Sequence, residues 1–199
     1  MDNGLEAVAV VFGVISVGLS VRENIWSWPT AIVNVGLYIA VFYQTRLYAD
    51  MGLQGIYVAL SLYGWYQWLY GGENRSTLTV SRLSWPRGLG LATLGIVVAV
   101  TLGTVLARTT DAALPYLDST TTATSLIAQW LMTRKVLESW AVWVAVDVVY
   151  IGMFCFKSLY LTAALYAVFL VLSALGLRRW RKVWAAAQTG AAACEPAVA

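Results

Sequence analysis

Hydrophobic residues are concentrated in seven stretches of this chain, each about as long as the 20 residues that a helix needs to cross a bilayer. Short connectors with acidic or basic residues separate the stretches. The pattern predicts an all-α integral membrane protein with seven transmembrane helices, near residues 5–21, 27–45, 52–70, 88–107, 117–133, 139–157 and 159–177. The fifth span is polar for a membrane helix, because it carries a run of threonine and serine.

The two ends of the chain lack the features of these spans. The N-terminus begins with acidic rather than basic residues, so we expect the first span to be retained rather than cleaved as a signal peptide. Residues 183–199 are mostly alanine and other small residues, and the sequence predicts a disordered tail there.

Positive charges are distributed unevenly between alternate connectors. The loops after the first, third and fifth spans, with the segment after the seventh, carry ten Lys or Arg residues, whereas the opposite side carries three. Cytoplasmic loops of membrane proteins are enriched in these residues. The asymmetry predicts an external N-terminus and a cytoplasmic C-terminus.

The sequence contains an internal repeat. Residues 5–68 align with 117–180 without a gap, and sixteen of the 64 paired positions are identical. Composition bias alone accounts for about five or six identities, mostly leucine. It does not account for the matched tryptophan, tyrosine and arginine pairs, which are Trp28/Trp140, Trp68/Trp180, Tyr38/Tyr150 and Arg22/Arg134.

The repeat also accounts for the odd number of spans. A three-helix unit starts and ends on opposite sides of the membrane, so two parallel copies require one extra span between them. We therefore predict a 3+1+3 arrangement, with repeats at 1–70 and 108–182 joined by a cytoplasmic loop and linking helix at 71–107. Parallel repeats of this kind occur in transporters, with the substrate near the midplane between them.

The sixth span carries the most unusual polar group. Trp140, Trp143 and Asp147 are spaced by three and four residues and therefore share one helical face. A carboxylate within a membrane helix is costly and usually faces a protein interior or a water-filled cavity. Two indoles beside it suit a planar, cationic ligand. The alternative is that the tryptophans are packing or interface anchors and that Asp147 pairs with a polar neighbour.

Polar faces on other spans extend this candidate ligand site. The third span places Gln54, Tyr57 and Trp65 on one side, the fifth places Thr121, Ser125 and Gln129, and the second carries Asn34. Hydrogen bonding between helices is the alternative role for such residues. Together they favour a neutral or cationic solute with hydroxyls and a flat ring.

Composition narrows the functional classes. The chain is 60% hydrophobic and 12% charged, with no histidine and two distant cysteines, Cys155 and Cys194. These residues predict no metal site, no cofactor and no catalytic nucleophile–base pair. The net charge of +3 is too small and scattered to indicate nucleic acid. A transporter is predicted in the lipid bilayer, and a small-molecule membrane receptor with the same pocket is an alternative.

Five segments resemble the PnuC-type vitamin transporter family, the nicotinamide riboside transporters. They are E-N-I-W-S-W-P (23–29), L-Y-A-D-M-G-L-Q-G-I-Y (47–57), L-Y-G-W-Y-Q-W (62–68), P-Y-L-D-S-T-T-T-A-T-S-L-I-A-Q-W-L-M-T-R-K (115–135) and E-S-W-A-V-W-V-A-V-D (138–147). The resemblance implies a 3+1+3 fold in the bacterial inner membrane, with substrate contacts at Trp140, Trp143 and Asp147 and with Gln54, Tyr57 and Gln129 nearby.

The same resemblance bears on mechanism and substrate. It implies facilitated diffusion, trapping of the imported vitamin by a cytoplasmic kinase, and a homotrimer. Nicotinamide riboside is the favoured substrate, with thiamine or riboflavin as alternatives. The first two are cations that suit Asp147, whereas riboflavin is neutral and larger.

Overall fold

A computed structural model describes residues 3–44, 48–110, 114–156 and 158–193. Within these ranges the chain forms seven α-helices and one short 3-10 turn, Glu73–Arg75. The helices are α1 Asn3–Val21, α2 Ser27–Gln44, α3 Tyr48–Tyr70, α4 Trp85–Thr109, α5 Pro115–Thr133, α6 Glu138–Phe156 and α7 Tyr160–Ala193. Each predicted span corresponds to one of these helices.

The last helix is longer than predicted. It passes the expected end near residue 177 and continues to Ala193. The structure therefore differs over 183–193 from the predicted disordered tail, while residues 194–199 lie outside the described part of the chain. The physical reason is the alanine content of this segment, since alanine has the highest intrinsic helix propensity.

Four of the described helices, α1, α4, α6 and α7, are long and apolar enough to cross a membrane by length and composition. The other three carry more polar side chains, including Asn34 in α2, Gln54 in α3 and Gln129 in α5. The less apolar helices are thus the ones that contribute many of the predicted ligand contacts.

Helix contacts follow the internal repeat. The second helix packs on α1 and α3, and α6 packs on α5 and α7. The two groups meet where α1 contacts α7 and where α3 contacts α5, while α4 packs against α5. Because α1 corresponds to α5 and α3 to α7 in the alignment, each of the two interfaces is the counterpart of the other.

Each repeat contains the same pair of perpendicular indoles. The rings of Trp28 and Trp68 are 5.3 Å apart and cross at 89°, and those of Trp140 and Trp180 are 5.5 Å apart and cross at 88°. All four side chains are buried. Edge-to-face contact of this kind is the preferred geometry for aromatic pairs.

A glycine in each repeat makes room for the indole. A Cβ atom on Gly64 would lie 2.2 Å from Trp28, and one on Gly176 would lie 2.5 Å from Trp140. Neither distance is sterically tolerable. The close approach explains why the alignment pairs glycine with glycine as well as tryptophan with tryptophan.

The two helix groups are joined at one end of the bundle by matched hydrogen bonds. The Trp68 indole N–H donates to the Met132 carbonyl at 3.0 Å, and the Trp180 indole N–H donates to the Ser20 carbonyl at 3.2 Å. These bonds are equivalent under the repeat, since Ser20 aligns with Met132. The rings of Trp68 and Trp180 also contact each other, with centroids 5.8 Å apart.

An ion pair links the same end of the bundle. Glu23 and Lys135 occupy equivalent positions after α1 and α5, and both have left-handed backbone conformations, with φ of 56° and 53°. Their side chains pair across the two groups at 2.9 Å. The Lys135 ammonium also donates to the Leu78 carbonyl at 3.0 Å and lies 4.9 Å from the centroid of the Trp68 ring.

Candidate functional site

The carboxylate of Asp147 is buried in the middle of α6, with 3% of the residue exposed. The Ser173 hydroxyl on α7 donates a hydrogen bond to its Oδ2 at 3.0 Å. Burial without such a partner is unfavourable for a carboxylate in a membrane interior. The predicted polar partner of Asp147 is therefore a serine on the neighbouring helix, and the pair places a negative charge between α6 and α7.

Aromatic rings surround this acid–serine pair. Tyr166 on α7 lies within electrostatic range of Asp147. Its ring centroid is 4.7 Å from that of Tyr150 and 5.2 Å from that of Phe154, both on α6. Phe169 on α7 adds an edge contact to Tyr166 at 5.8 Å. Flat apolar faces beside a buried carboxylate provide the elements that a planar cation requires.

Polar groups from the other repeat approach the same region. Tyr57 on α3 lies within electrostatic range of Tyr150 and Tyr166. It also lies beside Ser125, which faces it from α5. Ser125 is buried, and its hydroxyl has no partner of hydrogen-bonding geometry among the described residues. The α3–α5 interface thus offers a free hydroxyl near the aromatic rings of α6 and α7.

The predicted tryptophans lie in a different layer. Trp140 is 1% exposed and packs in an aromatic core with Trp180 and Trp68. Trp143 and Trp65 are partly buried and pack against the same core. Packing, the alternative considered for the tryptophans from sequence, is therefore the role seen for Trp140. Its indole N–H has no partner among the described residues.

Two of the predicted polar contacts are satisfied by neighbouring backbone. The Asn34 amide donates to the Ala9 carbonyl on α1 at 2.6 Å. The Thr121 hydroxyl donates to the carbonyls of Leu117 and Asp118 on its own helix, at 3.0 and 2.9 Å. Both contacts match the alternative role of hydrogen bonding to the helices. Gln54 and Gln129 are partly buried.

Ser173 and Tyr166 were not among the sequence candidates. The repeat contained the signal that could have identified them. Ser173 aligns with Ser61, and Tyr166 aligns with Gln54, so the polar stripe recognised on α3 has its counterpart on α7. The residues at these positions line the side of α7 that faces Asp147.

Comparison with known proteins identifies the chain. A family model described as nicotinamide mononucleotide transporter matches residues 3–182. The chain belongs to this transporter family. It is 29% identical over 201 residues to the nicotinamide riboside transporter PnuC of Escherichia coli, covering 88% of this chain and 84% of that protein.

Two further matches support the assignment. The riboflavin/roseoflavin transporter RibM of Streptomyces davaonensis is 26% identical over 184 residues, covering 88% of this chain and 83% of RibM. A crystal structure of the vitamin B3 transporter PnuC has a TM-score of 0.72 and 28% identity, covering 92% of this chain and 82% of that one. The predicted family is confirmed, and the protein is a multi-pass vitamin transporter of the bacterial inner membrane rather than an enzyme.

Proposed function

We propose that the protein carries nicotinamide riboside across the inner membrane by facilitated diffusion. The observation that supports this substrate is the buried Asp147 carboxylate beside the aromatic rings of α6 and α7. The positively charged pyridinium ring of the riboside fits between these aromatic faces, with the carboxylate offsetting its charge. Relatives named as nicotinamide riboside transporters point to the same ligand.

The ribose hydroxyls require polar partners from the second half of the site. Tyr57 and the unpaired Ser125 hydroxyl lie on the α3–α5 side of the rings and can accept or donate to them. Gln54 and Gln129, on the same two helices, complete this polar wall in the proposal. Trp143 borders the site next to the aromatic core, and Trp140, Trp65, Asn34 and Thr121 support it from the surrounding layer.

The proposed architecture is a 3+1+3 arrangement of two parallel repeats, with the N-terminus outside and the C-terminus in the cytoplasm. The matched indole pairs and the two equivalent interfaces support the repeat. The excess of Lys and Arg in alternate connectors supports the orientation. In this orientation the Glu23–Lys135 ion pair lies at the cytoplasmic end.

Alternating access then requires the two repeats to separate at one end at a time. The contacts that join them at the cytoplasmic end are the Glu23–Lys135 pair and the matched indole hydrogen bonds of Trp68 and Trp180. We propose that these contacts close the inner side of the pathway and break when the substrate is released. No coupling ion is needed for such an exchange, and a cytoplasmic kinase that phosphorylates the vitamin makes uptake directional. A homotrimeric assembly is part of the same proposal.

Riboflavin is the second candidate substrate, because RibM is among the relatives. Thiamine and a receptor role belong to the same comparison. Riboflavin has no positive charge, so its binding should not depend on the Asp147 carboxylate. The effect of removing that charge therefore distinguishes the cationic vitamins from the neutral one.

The test is a calorimetric titration of the purified protein with nicotinamide riboside, thiamine and riboflavin separately. We expect saturable binding of the riboside, weakened about ten- to hundredfold by Asp147→Asn, because a hydrogen bond or contact to a charged group contributes about 1.5–3 kcal/mol. Glu6→Gln, which removes an exposed carboxylate on α1, serves as the control and should bind as the wild type does. Binding of riboflavin alone, unaffected by Asp147→Asn, would overturn the proposed substrate.

A further inference from the structure

A basic cup lies beside the start of α4. A cavity of about 660 Å³ is enclosed by the loop 71–84, the first turns of α4 and the end of α5. Arg82, Arg87 and Arg134 line it together with the hydroxyls of Ser81 and Ser84. None of its lining residues, all within the described ranges, is acidic. The cup is therefore a concave surface of positive charge.

Most of this charge is not neutralised. Arg82 forms an ion pair with Glu138. Arg134 donates to the Tyr63 hydroxyl at 2.7 Å, a neutral partner that leaves its charge in place. Arg87 is exposed and has no carboxylate partner among the described residues. Two guanidinium groups are thus free to bind an anion.

The cup opens into an apolar groove. A second cavity, of about 430 Å³, shares Leu83, Leu91 and Leu131 with the first and runs between α4 and α5. Small residues make the α4 wall shallow, from Gly88 through Gly95 to residue 99. The hydroxyls of Thr120 and Thr124 on the α5 wall donate to carbonyls of their own helix at 2.7 Å, so the groove presents no unsatisfied polar group there.

The groove has the length of one membrane leaflet. Its α4 wall runs from Gly88 to Val100, which is about 18 Å at the helical rise of 1.5 Å per residue. Half of a typical hydrocarbon core is about 15 Å. Trp85, which is 83% exposed at the level of the cup, has the position of an aromatic residue at the membrane–water interface.

The groove also faces the bilayer. Among the described helices, α4 packs extensively against α5 alone. Its outer side chains, including Leu89, Ile96 and Val97, are exposed and apolar. A lipid chain can therefore enter the α4–α5 groove from the side.

We propose that the cup and groove form a binding site for one phospholipid with an anionic headgroup. The phosphate binds Arg87 and Arg134, with Arg82 at the edge of the cup, and one acyl chain follows the groove between α4 and α5. Basic pockets between membrane helices on the cytoplasmic side recognise anionic headgroups, and arginine suits phosphate because it presents paired donors. The bound lipid would fix α4, and with it the linker between the repeats, against the second repeat.

The test is native mass spectrometry of the protein in detergent with added phosphatidylglycerol or phosphatidylcholine. We expect one phosphatidylglycerol to remain bound and phosphatidylcholine to be lost. Each arginine near an anionic surface contributes about fivefold in affinity, so Arg87→Gln should weaken retention about fivefold and Arg87→Gln/Arg134→Gln about 25-fold. Arg179→Gln, an exposed arginine on α7 outside both cavities, is the charge-matched control and should retain the lipid.

Two further measurements separate headgroup from chain. Ala92→Trp fills the groove without touching the arginines, and it should displace the lipid while the protein keeps its unfolding temperature in detergent. Soluble glycerol phosphate should not raise the unfolding temperature, because it lacks the chain. Equal retention of the two lipids, an effect of Arg179→Gln as large as that of Arg87→Gln, or full stabilisation by glycerol phosphate would each overturn the proposal.

Discussion

The Asp147 carboxylate relies on the Ser173 hydroxyl for its one described side-chain hydrogen bond, at 3.0 Å. Removing that hydroxyl leaves a buried carboxylate free to reorient, so it no longer meets the ligand in a fixed position. We expect Ser173→Ala to weaken riboside binding about fivefold, the effect of a hydrogen bond that contributes about 1 kcal/mol. Isothermal titration of the purified variant measures this directly.

The internal repeat supplies the control for this substitution. Ser61 is the equivalent buried serine on α3, but the position that corresponds to Asp147 is Val35. Ser61→Ala should therefore leave riboside affinity within about twofold of the wild type. If the two serine variants bound equally weakly, Ser173 would have only a general packing role.

At this scale the sequence predicted the buried acid and its need for a polar partner, but not the layer of each tryptophan. Trp140 and Asp147 share a helical face, and the pattern cannot show that they lie about 10.5 Å apart along the axis. Trp140 meets Gly176 and Trp180, whereas Asp147 meets Ser173. The neighbouring helix decides the role of each residue, and a pattern within α6 does not contain that helix.

The contact between α6 and α7 depends on a glycine. A Cβ on Gly176 would lie 2.5 Å from the Trp140 ring, so Gly176→Ala must displace a fully buried indole. We expect a loss of about 1–3 kcal/mol of stability, the usual effect of overpacking. A lowered unfolding temperature in detergent, followed by tryptophan fluorescence, is the measurement.

Gly64→Ala should show the same defect at the α2–α3 contact, because its Cβ would lie 2.2 Å from Trp28. Gly152→Ala on α6 is the control, since a Cβ there would meet no atom within 4 Å. Equal unfolding temperatures for the Gly176 and Gly152 variants would contradict the tight α6–α7 contact.

The existence of each helix could be predicted, because apolar runs of bilayer length have few other stable conformations. The end of α7 could not be predicted from the same rule. Ala185, Ala186 and Ala187 are too weakly apolar to extend a membrane span, and yet they favour helix by intrinsic propensity. Hydropathy and helix propensity diverge in this segment, and propensity decides the structure.

The halves of the molecule meet at an ion pair between equivalent positions, Glu23 and Lys135. If this end of the bundle must open to release substrate, a covalent link there should stop transport. We expect Glu23→Cys/Lys135→Cys, with Cys155→Ser and Cys194→Ser, to lose uptake when joined by a short bis-maleimide. Riboside binding from the outside should persist in the linked protein.

The same variant treated with a monofunctional maleimide controls for modification alone. Uptake at the unlinked rate in the cross-linked protein would mean that the repeats do not separate at this end.

The pairing of the two halves was foreshadowed by the gapless alignment. Identical tryptophans predicted equivalent environments, and the indole pairs at 5.3 and 5.5 Å have that equivalence. Glu23 and Lys135 are not identical, so the alignment gave no sign that they pair with each other. Opposite charges at equivalent positions can meet only where the two copies face each other, and that requires the folded arrangement.

The most direct test of the account is uptake of labelled nicotinamide riboside into liposomes that contain the purified protein and no other component. We predict saturable equilibration in both directions, independent of a proton gradient and strongly reduced in Asp147→Asn but not in Glu6→Gln. Accumulation above the external concentration should appear only when a riboside kinase and ATP are enclosed. Uptake that a protonophore abolishes, or that Asp147→Asn leaves unchanged, would contradict facilitated diffusion through a site built around Asp147.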